Sequence, residues 1–169
     1  MRGGGGRLTR AGLAQVAAIV AAIVALDQAT KWFVTRSLDL HQSVPIIDGL
    51  FNLTYVRNAG AAFGLFGELP ETIREPMFII VSLGALVVLG SFLVGLQPGE
   101  RALRIAIAAV LGGATGNLID RLREGEVIDF FDVYWRQYHW PAFNVADSCI
   151  TLGVAALLAL SFRRSAGAG

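Results

Sequence analysis

Charge is scarce in this chain. Only 16% of its 169 residues are Asp, Glu, Lys or Arg, and 54% are hydrophobic. Average soluble domains carry about 25% charged residues. With a mean hydropathy of +0.59, the deficit points away from an ordinary soluble globule and toward one membrane domain. The net charge of +1 leaves no electrostatic footprint for nucleic acid. Cysteine is nearly absent. Cys149 alone cannot form an internal disulfide, and its apolar run reads as the setting of a small buried hydrophobe. The two histidines, His41 and His139, are isolated and read as surface or interfacial residues. The paired Cys/His spacing that structural zinc requires is missing, so neither metal nor cofactor is implied.

What the chain has instead is long apolar runs. Residues 11–34, 77–96, 102–119 and 142–162 are each long enough to cross about 30 Å of hydrocarbon. The first follows Arg2, Arg7 and Arg10 in a Gly-rich tail. A cleaved signal peptide is the competing reading there, but the run passes into Asp27-Gln-Ala-Thr-Lys31 with no small-x-small cleavage site. Between the first two runs the character changes. Residues 43–67 hold β-branched and aromatic residues around Asp48-Gly49, which predicts a strand pair. Gly60, Gly64 and Gly67 follow in a loop that permits unusual backbone angles. Residues 129–140 are crowded with aromatics, from Phe130 to Trp140. Trp and Tyr favour the headgroup region, so this segment is expected to lie along the membrane surface.

Orientation follows from the short flanks. Arg2, Arg7, Arg10, Arg101, Arg104, Arg163 and Arg164 share one side, opposed only by Glu100. Four spans with both termini cytoplasmic fit that bias, and residues 35–73 then lie outside. On this topology Asp27, Lys31, Asn58, Asn117, Arg121, Asp129, Asn144 and Asp147 all fall at the outer membrane edge. A carboxylate in a membrane segment costs about 3 kcal/mol on insertion scales, so it is a functional hypothesis by default. Asp27 and Lys31, four apart, share a helix face and can pair, as a simple helix-end ion pair also would. Gly113, Asn117 and Arg121 follow at steps of four, placing small and polar groups in one helix interface. Asn144, Asp147, Ser148 and Thr151 form a polar stripe on the last span.

Two converging carboxylates, Asp129 and Asp147, are the minimum equipment of an aspartic protease. They cannot both ionise cheaply, so one serves as a base for water while the other keeps a proton. A proton-coupled carrier would also use intramembrane acids. It would spread polar groups through the midplane and show internal repeats, whereas here the inner halves are apolar and no repeat is visible. A purely structural reading leaves the acids without purpose.

At these positions the chain resembles a known family. Asp27-Gln-Ala-Thr-Lys31, Asn58-Ala-Gly-Ala-Ala-Phe63, Gly112-Gly-Ala-Thr-Gly-Asn-Leu-Ile-Asp-Arg121, Val127-Ile-Asp-Phe130 and Phe143-Asn-Val-Ala-Asp147 are similar, in order and spacing, to the motifs of bacterial lipoprotein signal peptidase (signal peptidase II). The resemblance spans Leu26 to Thr151. It implies an aspartic endopeptidase of the bacterial inner membrane, all-α in its four transmembrane helices, with a periplasmic β-cradle and a short surface-lying helix. Such an enzyme cuts the signal peptide from prolipoproteins just before a diacylglyceryl-modified cysteine and is the target of the cyclic peptide globomycin. By motif, Asp129 and Asp147 match the catalytic dyad. Asn58, Gly60, Asn117, Arg121 and Asn144 match the groove for substrate and inhibitor. Asp27, Lys31 and Gly113 match supporting positions. The family often has Asn-Thr-Gly where this chain has Asn58-Ala59-Gly60.

Overall fold

The computed structural model describes residues 8–60 and 65–166, the last three by backbone alone. The basic tail at residues 2–7 and Gly64 lie outside the described residues. Four helices carry the architecture: α1 (Arg10–Ser37), α2 (Glu71–Gly95), α3 (Arg101–Glu124) and α4 (Val145–Ala166). All four are long and apolar enough to cross a membrane. Between them run four short strands: β1 (Ser43–Ile47) and β2 (Phe51–Asn58) after α1, then β3 (Val127–Trp135) and β4 (Tyr138–His139) after α3. They form one antiparallel sheet in the order β1-β2-β3-β4.

Local chemistry sets the ends of the elements. Thr9 caps α1, its hydroxyl oxygen accepting from Gly12 N–H at 3.1 Å. The β1–β2 turn is the expected one, with Gly49 at φ 77°. Helix α2 starts at Glu71, six residues before the apolar run, and carries Pro76 inside it. Helix α3 runs on to Glu124 and stops at Gly125, whose φ of 74° and N–H to Arg121 C=O close a left-handed cap.

The segment expected to lie on the membrane as a helix is instead strand. Residues 127–135 pair with β2 through Asn58↔Val127 and Val56↔Asp129, and a short reversal returns Tyr138–His139 beside them. The reason is that β2 would otherwise present an open edge, and β-branched and aromatic residues fit a pleated surface well. His139 is not isolated either. Its Nδ1 lies 2.8 Å from Asp132 Oδ1 and its ring stacks on Tyr134.

Helix α3 is the hub, packing against α1, α2 and α4. One apolar cluster gathers Val16, Leu93, Leu96, Ile107 and Ala108 at one end of the bundle. A second, Val34, Tyr55 and Phe130, seats the sheet on α1 at the other end. Lipid tails are as apolar as these side chains, so close van der Waals fit drives the helix contacts. Glycine supplies that fit. A Cβ at Gly112 would meet Ile23 of α1 at 2.9 Å, and one at Gly113 would overlap Ala146 O and Ile150 of α4.

Candidate active site

The polar residues gather at the end of the bundle that carries the sheet. Strand β3 delivers Asp129, and helix α4 delivers Asp147 in its first turn. Asn144 joins them. Its Nδ2 donates to Asp129 Oδ1 at 2.7 Å. Its Oδ1 accepts from Asp147 N–H at 2.8 Å, while Asp147 Oδ2 accepts from Asn144 N–H at 3.3 Å. The last two bonds are a reciprocal capping box, with Asn144 as the cap and Asp147 three residues on. The local sequence Asn-Val-Ala-Asp thus both starts α4 and fixes the direction of one acid. The backbone of Phe143 pairs with Phe130 and Phe131 of β3 at 2.8–3.1 Å, which holds the start of α4 against the strand bearing the other acid.

Each carboxylate takes a further amide. Asn58 Nδ2 donates to Asp129 Oδ2 at 2.9 Å, and Asn58 Oδ1 accepts from Gly60 N–H at 3.0 Å. Asn117 Nδ2 donates to Asp147 Oδ1 at 2.7 Å. Asp129 is 2% exposed. Burial, and next the neighbouring charge of Asp147, raise its carboxyl to about 7. Both causes disfavour its ionised form. Asp129 therefore holds its proton to a much higher pH than a free carboxyl does.

A cavity of about 600 Å³ opens on Asp147, with Asp129 buried just behind its wall. Asn58, Gly60, Asn117, Arg121 and Asp147 make its polar end. Trp140 and Phe143 line it nearby, and Ile150 and Leu152 carry it along α4. The mix of apolar wall and a few convergent polar groups is that of a ligand site. The Arg121 guanidinium sits 4.8 Å from the centre of the Phe78 ring and donates from Nη2 to Gly60 O at 3.5 Å. Asn144 is placed differently from the groove position that motif matching gave it. It is fully buried between the two acids and, like Asp129, does not line the cavity wall. Among the described residues, no group of three or more His, Cys, Asp or Glu is arranged to hold a metal ion.

Behind the pair lies a second layer. Asp27 and Lys31 bond at 2.8 Å with side chains 0% and 2% exposed, so theirs is a fully buried contact and not a surface pair at a helix end. Lys31 also reaches Asp120 at 2.6 Å. Asp120 was not singled out from the sequence. An acid three residues after Asn117 on a membrane helix is the signal that could have found it. Gly113 sits where α3 meets α4, and Gly116 leaves room for Asp27, whose Oδ2 would lie 2.6 Å from a Cβ there.

Comparison with known proteins bears on what such a site does. Residues 19–163 match the family model described as Signal peptidase (SPase) II. The lipoprotein signal peptidase of Geobacter sulfurreducens is 53% identical over 140 residues, covering 83% of this chain and 86% of that protein. That of Syntrophotalea carbinolica is 50% identical over 145 residues, 86% and 89% of the two chains. A bacterial membrane enzyme solved by the in meso method at 2.3 Å resolution superposes with a TM-score of 0.82 at 30% identity, covering 91% of each chain. A match across most of the chain at this identity, on the same four-helix frame, makes this chain a peptidase of the signal peptidase II family.

Proposed function

We propose that the chain removes the signal peptide from diacylglyceryl-modified prolipoproteins at the outer face of the bacterial inner membrane, with Asp129 and Asp147 as its catalytic dyad. The observation that carries the reading is the pairing of two acids through Asn144, one of them, Asp147, in the wall of a largely apolar cavity. In the one-proton state Asp147 takes a proton from water, and the resulting hydroxide attacks the scissile carbonyl. Asp129 donates its proton to the carbonyl oxygen as charge develops there. Collapse of the tetrahedral diol breaks the C–N bond as Asp147 passes its proton to the leaving nitrogen and Asp129 recovers one from a diol hydroxyl. Arg121 and Asn58 present N–H groups at the polar end of the cavity, where they hold the substrate backbone. The apolar stretch along Ile150 and Leu152 suits a substrate that is itself anchored in lipid. Family membership leaves the carrier reading without support.

Both termini are cytoplasmic in this reading, residues 35–73 lie outside, and globomycin competes for the same cavity. The test is cleavage of a synthetic lipid-modified prolipoprotein peptide by the purified protein, with and without globomycin. Cleavage just before the modified cysteine, blocked by the inhibitor, is expected. Failure to cut, or equal cutting of the unmodified peptide, would contradict the assignment.

A further inference from the structure

Asp27 and Asp120 stand in matching relation to the two dyad acids. Asp27 Oδ1, from α1, accepts the N–H of Ala146 at 3.0 Å, and Ala146 directly precedes Asp147. Asp120 Oδ2, from α3, accepts the N–H of Ile128 at 3.3 Å, and Ile128 directly precedes Asp129. One buried acid therefore grips the backbone beside each member of the pair. Lys31 ties the two grips together, bonding Asp27 Oδ2 at 2.8 Å and Asp120 Oδ2 at 2.6 Å. Gln28 Nε2 bridges the same two acids at 3.3 and 2.8 Å.

Besides its bond to Asp27 and its ion pair with Asp120, the Lys31 ammonium donates to Asn117 Oδ1 at 2.9 Å. That bond decides which way the Asn117 amide faces. Asn117 Oδ1 also accepts from Asn144 Nδ2 at 3.2 Å. A flipped amide would set its NH₂ against an ammonium and a second NH₂, and its oxygen against the Asp147 carboxylate. The flip loses every favourable contact at once, so the N–H stays aimed at Asp147. Lys31, Asp27 and Asp120 are all at most 3% exposed, and a buried polar network this fully satisfied is rigid.

We propose that Lys31, Asp27 and Asp120 form one clamp that fixes the separation and direction of the dyad, with Asp120 as the positioning residue for Asp129 and Asp27 as that for Asp147. This rests on the dyad reading above and deepens it. A structural ion network would stabilise the bundle and leave the turnover of folded enzyme alone. A clamp has to show in the chemical step, because a misplacement of about 1 Å at the reacting groups costs about 100-fold in rate.

The test uses purified full chain in lipid micelles, with kcat and KM for the lipid-modified peptide referred to protein that unfolds cooperatively and binds substrate. Asp120→Asn keeps the shape and removes one charge of the clamp. Its kcat is expected to fall about 10- to 100-fold, with KM within about two-fold, since transition-state geometry and not uniform binding is lost. The neutral variant Lys31→Met/Asp27→Asn/Asp120→Asn leaves no uncompensated buried charge, so it is expected to fold and to be as slow. Wild-type kcat in folded Asp120→Asn would overturn the clamp, and so would wild-type kcat in the folded triple variant. Asp129→Asn, run alongside, separates the two claims. Near-background turnover there with wild-type kcat in Asp120→Asn sinks the clamp alone, whereas full turnover in Asp129→Asn sinks the dyad.

Discussion

Helices α2 and α3 have nearly the same length, 25 and 24 residues, and each could cross a bilayer. They differ in what surrounds them. In the most apolar stretch of α2 only 11% of residues are buried within the protein, against 56% in α3. Leu93 is the one buried residue of α2, while α3 buries eleven, among them Gly112, Gly113, Gly116, Asn117 and Asp120. The more hydrophobic helix is thus the one turned to lipid. Apolarity selects the membrane, whereas small and polar residues select the protein interior, because only they gain something there that lipid does not provide. The cavity lining follows the second rule, since Asn117 and Arg121 of α3 line it and α2 offers Phe78 beneath a guanidinium.

That contrast can be broken most severely at Gly113. Gly113→Leu places a side chain where the α4 backbone already lies. Overpacking typically costs about 1–3 kcal/mol, and a backbone neighbour cannot swing aside, so the upper end is expected. Thermal unfolding in micelles should show a large loss of stability, and activity should go with it. Arg121→Ala comes next. The guanidinium lines the cavity and bonds Gly60 O, so kcat/KM is expected to fall about ten-fold or more, the scale of a hydrogen bond to a charged group. The protein should still fold, and Lys at 121 should restore only part of the loss, because it lacks the planar fork of donors.

A smaller effect is expected from pH. The Asp129 carboxyl, raised to about 7 by burial and by Asp147, keeps its proton below that value and loses it above. Turnover that needs one proton on the pair should decline several-fold between about pH 7 and 8. The folded state binds this proton more tightly than the unfolded chain does, so the same shift makes the fold less stable as pH climbs from about 4 to about 7. Unfolding measured from about pH 4 to 7 and initial rates measured from about pH 7 to 8 check both signs. The smallest effect belongs to α2. Val87 is 72% exposed within the protein, and Val87→Ala should move stability by no more than about 0.5 kcal/mol and leave turnover unchanged. A large loss of activity there would mean that α2 does more than face lipid.

Much of this was legible in the sequence because it is local. The apolar runs announced four helices, Asp48-Gly49 announced the hairpin, and the step of four from Asp27 announced its bond to Lys31. Gly113 was read as a close-contact position, and α4 meets it there. Strand β3 was not legible. Its aromatics carry the same signal as a surface-lying segment, the adjacent Phe130 and Phe131 blur the alternation, and its partner β2 lies some seventy residues back. Asp120 was hidden at a helix end beside Arg121, where an acid passes for a solvated one until the fold places Lys31 against it. Asn144 matched a groove motif, but its capping geometry turns it inward, between the two acids and away from the cavity.

The central claim is that Asp129 and Asp147 do the chemistry as one unit. Asn is nearly isosteric with Asp but cannot take a proton from water, so substitution should spare insertion and substrate binding. The direct measurement is turnover of the lipid-modified peptide by Asp129→Asn, Asp147→Asn and the double variant, at equal amounts of folded, substrate-binding protein. Loss of an acid–base group costs about 10²–10⁴-fold, and groups that act together lose activity non-additively. We expect each single variant to lie near background and the double to be no worse. Near-wild-type turnover in either single variant, or losses that multiply in the double, would contradict a shared-proton dyad.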